Sequence, residues 1–164
     1  MNVIILGSTP FVMELVRKLS KYIKVYVITE DKEKALELSE KREVVVINED
    51  PANLELLEKI DIEDCDVFIA ATIQEELNIL SCLYAKNKGV KTLYAKTFNP
   101  RVDSILESMN IIPLNAELYA AANVALHVNK PLVASLVDPT DSIYNVIQIP
   151  IEKSKNLIGK QLGL

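Results

Sequence analysis

The segment Gly7-Ser8-Thr9-Pro10-Phe11-Val12 lies between a short apolar run, Val3 to Leu6, and a stretch with apolar residues at helical spacing. A turn from a strand into a helix presents backbone N–H groups and the positive end of the helix dipole to an anion. Turns that bind dinucleotides carry three glycines, which here would fall at positions 7, 9 and 12. Only Gly7 is present. Thr9 adds a side chain where a pyrophosphate comes closest to the backbone, Pro10 removes one N–H, and Val12 adds bulk where glycine allows close helix–strand packing. The hydroxyls of Ser8 and Thr9 are available to return a hydrogen bond to a phosphate. The same residues also read as a structural turn without a ligand.

A nucleotide site of this kind needs an acid at the end of the second strand to accept from ribose hydroxyls. The sequence there is Ile28-Thr29-Glu30-Asp31. Thr29 stands in the expected register, so Glu30 is the candidate ribose acid, against the plainer reading of a solvated first-turn acid. Other chemistry is sparse. Cys65 and Cys82 are the only thiols, neither in a CxxC, and both sit among apolar residues as small core side chains. His127 is the single histidine and falls in a stretch of small residues, where it reads as a packing or interface residue. No metal site and no catalytic set is expected.

The elements that must position these residues alternate regularly. Strands are expected at 3–6, 24–29, 44–47, 66–71, 92–96 and 111–114. Helices are expected after each of them, at 10–19, 31–41, 53–59, 74–88, 100–109 and from 116 onward. Pro10 suits a first helical turn, with Thr9 or Ser8 as its cap, and Asp31 caps the second helix. Gly89 ends the fourth helix. Strands apolar on both faces imply a parallel sheet covered by helices, so the fold expected is α/β, a doubly wound, Rossmann-like domain over residues 1–116. Residues 117–141 read as a helical crossover segment, interrupted at Asn129-Lys130-Pro131, with a second helix at 131–137 and a turn at Asp138-Pro139-Thr140-Asp141. Residues 142–164 read as a linker strand, at 144–149, and the start of a second small subdomain.

The 164 residues are 49% hydrophobic and contain four glycines, where about 11 are usual for this length. The shortage argues against glycine-rich phosphate loops. A net charge of −5 without a dense basic patch makes nucleic acid a poor partner. The N-terminal apolar run is too short for a signal peptide, and no stretch approaches the roughly 18 apolar residues of a membrane helix. A cytoplasmic location is expected.

Several segments together carry a family resemblance. They are the opening Asn2-Val3-Ile4-Ile5-Leu6-Gly7, the turn Glu49-Asp50-Pro51, and Ala70-Ala71-Thr72-Ile73 with Asn78 six residues after Thr72. Further along come Lys96 with Asn99-Pro100, and Leu157-Ile158-Gly159-Lys160-Gln161-Leu162. In order and spacing the chain resembles the N-terminal nucleotide-binding domain of the regulatory subunits of Trk/Ktr potassium uptake, also called the RCK domain (regulator of potassium conductance).

The resemblance implies a cytosolic, non-enzymatic regulatory subunit. It would bind an adenine nucleotide (AMP, ADP, ATP or NAD(H)) and gate a membrane potassium transporter or channel. The phosphates would lie on Gly7, Ser8, Thr9, Pro10 and Phe11, and the ribose at the Thr29–Glu30 position. Asp50 would sit near the adenine or ribose edge, or cap the helix after Pro51. Ala71, Thr72 and Ile73 would line the site, with Asn78 ordering the turn. Lys96 would pair with a phosphate, or stand exposed at a strand end. The family's ribose acid aligns with Thr29, which together with the missing glycines favours a mononucleotide over a dinucleotide. The helix from Glu117 resembles the family's crossover helix. Its residues Ala120, Ala121, Val124, Ala125 and Leu126 imply a homodimer, within a larger ring. Two alternatives stand beside this reading: a structural ring subunit that has lost its ligand, and an NAD-dependent oxidoreductase fragment. The latter would need a proton donor and a substrate domain, for which His127 and the remaining residues offer little.

Overall fold

In a computed structural model of the chain, residues 1–19, 22–40, 44–128, 134–135 and 147–148 are described. The first strand, β1 (Asn2–Leu6), is followed by α1 (Pro10–Lys18), β2 (Lys24–Ile28), α2 (Lys32–Ser39) and β3 (Val44–Ile47). Next come α3 (Leu54–Lys59), a 3-10 turn at Ile62–Asp64, β4 (Val67–Ala70), α4 (Glu75–Asn87), β5 (Thr92–Lys96), α5 (Pro100–Ser108) and β6 (Ile112–Leu114). The six strands form one sheet in the order β3-β2-β1-β4-β5-β6, every pair parallel. This is the Rossmann-like, doubly wound α/β arrangement expected from the alternation of apolar runs.

The alternation within β1 explains why helices cover both faces. Val3 and Ile5 point to one core, shared with Val12, Met13 and Val16 of α1 and Leu38 of α2. Ile4 and Leu6 point to the other, shared with Leu57 of α3, Cys82 and Ala85 of α4 and Leu106 of α5. Phe68 on β4 is fully buried in the second core, worth roughly 1.5–3 kcal/mol of apolar burial. Both cysteines are free and buried. The sheet reverses its winding between β1 and β4, the two strands at the centre.

Several boundaries are shorter than the sequence suggests. Asp66 and Ala71 lie outside β4 but still bond to β1 by backbone, Asp66 N–H to Asn2 O at 3.0 Å and Ala71 N–H to Leu6 O at 2.9 Å. Helix α1 stops at Lys18 and α2 at Ser39; Lys41 lies outside the described residues.

The chain divides into two units, Met1–Ala116 and Glu117–Leu164. The second begins within α6 (Ala116–Val128), where Ala120, Ala121, Val124 and Ala125 are exposed. Instead of the helix expected over 131–137, Ala134–Ser135 form a strand, β7, paired antiparallel with β8 (Ile147–Gln148). A short apolar run carries too few periods to separate helix from strand. The turn expected at 138–141, most of the strand expected at 144–149 and the tail through Leu162 lie outside the described residues. No helix among the described residues is long and apolar enough to cross a membrane.

Candidate functional site

The carboxyl end of β1 turns sharply at Gly7, whose φ is +96°. Its N–H donates to Ile28 O at 2.8 Å, and a Cβ at this position would stand 2.9 Å from Ala71 O and 3.0 Å from Thr72 N. Glycine is therefore required twice over, by backbone conformation and by the closeness of β4. Thr9 is the N-cap residue of α1 and Pro10 its first residue. The first helical bond runs from Met13 N–H to Thr9 O at 3.0 Å, so the amides of Phe11 and Val12 precede the ladder. No acidic residue stands in the first turn of α1, which leaves its positive end uncompensated.

The two loop hydroxyls are not where the sequence reading put them. Thr9 makes no side-chain cap bond; its Oγ1 donates to Ala71 O at 3.0 Å. Ser8 Oγ bonds Thr29 Oγ1 at 2.8 Å. All three residues are buried. Both hydroxyls expected to replace lost phosphate donors are thus committed to protein partners. Backbone amides and the helix dipole remain to meet an anion.

Thr29 follows directly on β2. Its N–H donates to Ile47 O at 3.1 Å, its carbonyl accepts from Asn48 Nδ2 at 2.8 Å, and its Oγ1 accepts from Asp31 N–H at 3.1 Å. A side chain so engaged orders the strand end. Glu30 is exposed beside it. Asp31 caps α2 as expected, Oδ1 accepting from the Glu33 and Lys34 amides at 3.1 Å each. The Lys34 amide chiefly, with the Lys34 ammonium 3.3 Å from Oδ2, holds the Asp31 carboxyl below its usual range.

These groups enclose a cavity of about 210 Å³ at the carboxyl ends of β1 and β2. Its floor is Gly7, Ser8, Thr9 and Pro10, its β2 wall Thr29, Glu30, Asp31 and Lys34, and its remaining edge Pro51, Thr72 and Ile73. Eight of the twelve residues singled out in the sequence line it: Gly7, Ser8, Thr9, Pro10, Thr29, Glu30, Thr72 and Ile73. Ile73 is 79% exposed, a large apolar side chain held in solvent at the rim.

Four singled-out residues are absent from the lining. Phe11 packs on the core beneath α1. Ala71 is fully buried and serves through its carbonyl. Asp50 accepts from Ala52 N–H at 2.8 Å in a local turn, while Asn53 is the N-cap of α3. Lys96 holds its ammonium 4.9 Å from the Phe98 ring centre. Asn78 orders the turn after β4, as the sequence suggested. It is fully buried, its Oδ1 accepts from Thr72 N–H at 2.9 Å, and its Nδ2 donates to Thr72 O at 3.2 Å and Lys96 O at 3.0 Å. Lys34 and Pro51 were missed, and Asp31 was expected only as a helix cap. The signal for Lys34 was its place three residues after the capping Asp31, which turns it toward the same strand end. No group of three or more metal-ligating side chains occurs among the described residues.

The strand order and the turn after β1 define a Rossmann-like domain. The model of the TrkA-N domain family matches residues 3–113, and the chain belongs to that family. A Trk system potassium uptake protein TrkA homolog from Methanothermobacter thermautotrophicus is 27% identical over 122 residues, 74% of this chain and 56% of the relative. The Trk system potassium uptake protein TrkA of Haemophilus influenzae is 25% identical over 99% of this chain and 36% of its own length. The chain thus spans little more than half, or less, of these relatives. Among solved structures, the Shewanella denitrificans Kef CTD in AMP bound form shares the fold with a TM-score of 0.65 at 17% identity, over 79% of this chain and 80% of that one. The GsuK channel bound to NAD does so with a TM-score of 0.63 at 21% identity, over 84% of this chain and 25% of the channel.

Proposed function

We propose that the chain is the nucleotide-sensing part of a regulatory subunit of potassium transport, acting at the cytoplasmic face of a membrane transporter or channel. The observation that carries this reading is the cavity at the β1–β2 edge, which opens onto the acid-free N-terminus of α1 in a chain of the TrkA-N family. An adenine nucleotide would place phosphate on the amides of Phe11 and Val12 and ribose against the Thr29–Glu30 strand end. Its base would cover Ile73. Relatives named for potassium uptake, and fold neighbours with bound AMP and NAD, support the ligand class and the partner. Ligand that favours one arrangement of the α1 loop shifts the equilibrium that a transporter reads.

In this reading the module works by binding; the ionisable side chains lining the cavity are those of Glu30, Asp31 and Lys34, and the last two are paired with each other at 3.3 Å. A titration panel of AMP, ADP, ATP, NAD+ and NADH tests the reading, with thermal unfolding as second readout. At least one nucleotide is expected to stabilise the fold, by about 2.7 kcal/mol at a hundredfold excess over its Kd. Silence from all five would favour a purely structural ring subunit, a reading that the internally spent hydroxyls of Ser8 and Thr9 support. Consumption of NADH with simple carbonyl compounds would instead favour an oxidoreductase.

A further inference from the structure

A dinucleotide in a doubly wound sheet crosses the point where the winding reverses, with one nucleotide on each side. Here that crossing runs over the ends of β1 and β4, and three contacts join them. Ala71 N–H donates to Leu6 O at 2.9 Å, Gly7 packs so closely on Ala71 O that a Cβ would reach 2.9 Å, and Thr9 Oγ1 donates to that same oxygen at 3.0 Å. The Thr9 side chain lies over the backbone that a pyrophosphate would have to approach.

The far side is filled as well. The amides of Phe98 and Asn99, at the end of β5 and the start of α5, are the counterpart of the α1 loop amides. Both donate to one carboxylate oxygen of Glu75, at 2.6 and 3.0 Å. The chain's own anion sits where a second nucleotide would find its donors. Asn78 closes the gap behind it by bridging Thr72 and Lys96. The open cavity, about 210 Å³, is lined mainly from the ends of β1 and β2 and reaches the β4 end only at Thr72 and Ile73, with none of Glu75, Lys96, Phe98 or Asn99 in its lining, and it is smaller than the roughly 300 Å³ at which drug-sized sites begin.

Resting on the nucleotide reading above, we infer that this site takes a single adenosine monophosphate unit, and that Thr9 and Glu75 exclude the second, nicotinamide half of a dinucleotide. Thr9 acts as a positioning residue, closing the crossing through Ala71. NAD+ would bind by its adenosine half alone, its remainder either left in solvent or forced to displace Glu75 from two amides.

Calorimetry on the full chain with AMP, NAD+ and nicotinamide mononucleotide tests this. AMP is expected to bind at least about tenfold more tightly than NAD+, and nicotinamide mononucleotide should not displace it. Thr9→Gly, which keeps a tolerated cap residue but removes the closing hydroxyl, should narrow the AMP to NAD+ ratio. Thr9→Ser, which keeps the hydroxyl, should preserve the wild-type ratio. If Thr9→Gly does not fold, the wild-type ratio and the nicotinamide mononucleotide competition decide. NAD+ binding as tightly as AMP to the wild type, or a folded Thr9→Gly with an unchanged ratio, overturns the inference and leaves the nucleotide reading standing. No heat from any of the three ligands overturns both.

Discussion

At the scale of single residues, the side chains that looked most reactive have been absorbed into structure. Thr9, Ser8 and Thr29 hydrogen-bond to protein, and Lys96 lies against Phe98. A sequence places a residue in a loop but does not give its rotamer, so the partner of each hydroxyl was not legible. The cysteines were legible, because apolar neighbours on a helix and beside a strand bury a thiol whatever the details. Burial pushes the Cys82 thiol up to about 12, against 9.0 in the unfolded chain, and raises Cys65 as well. The folded protein should therefore resist a thiol reagent at pH 8, with both groups reacting readily only in denaturant. The sign for stability follows. Between pH 9 and 12 the unfolded chain releases a proton that folded Cys82 keeps, so stability falls as pH rises through that window. Rapid labelling of the native protein at pH 8 would contradict the burial.

At the scale of elements, β-branched runs and capping residues located all six strands of the sheet and the helices between them, because burial on both faces leaves a continuous apolar signature. The ends of elements were less legible. Asp66 and Ala71 bond to β1 without belonging to β4, and Ala134–Ser135 form a strand in a run that also suited a helix. Two glycines show how surroundings set the cost of one backbone conformation. Gly7 and Gly89 have φ of +96° and +95°, but only Gly7 has backbone against it, that of Ala71 and Thr72 just after β4, whereas space around Gly89 is open. Gly89→Ala is expected to cost about 1 kcal/mol, and Gly7→Ala at least about 2 kcal/mol, in denaturant unfolding. Gly7→Ala should also abolish nucleotide binding. Equal costs at the two sites would mean that the β1 loop is not held against β4.

At the scale of the whole molecule, the family and the sheet fix the fold, and assembly turns on α6. Val124 and Val128 of α6 are 61% and 71% exposed, within a helix of mainly small apolar residues. We propose that a second copy of the chain packs on α6 and covers this surface, the homodimer that the sequence implies. Light scattering on a sizing column should give twice the 18.3 kDa chain mass at micromolar concentration. Val124→Glu should return it to monomer with the thermal midpoint of the Met1–Ala116 unit unchanged. A wild type that runs as a monomer would remove α6 as the contact. Glycine scarcity, which argued against glycine-rich phosphate loops, is compatible with the Rossmann-like sheet observed.

The position of β1 also orders events in time. It precedes the other five strands of its sheet in the chain, yet it lies at the middle of the sheet, paired to β2 on one side and to β4, from Val3 with Val67 to Leu6 with Ala70, on the other. While the chain emerges from the ribosome, β1 can join β2 early but carries a bare apolar edge until residue 70 is free. Such an edge is a template for foreign strands, and its closure spans more than sixty residues, a slow step by loop entropy. The contacts between β1 and β4 that border the candidate site therefore form only well after β1 has paired with β2, and a truncated product ending before β4 would keep that apolar edge bare and be prone to aggregate.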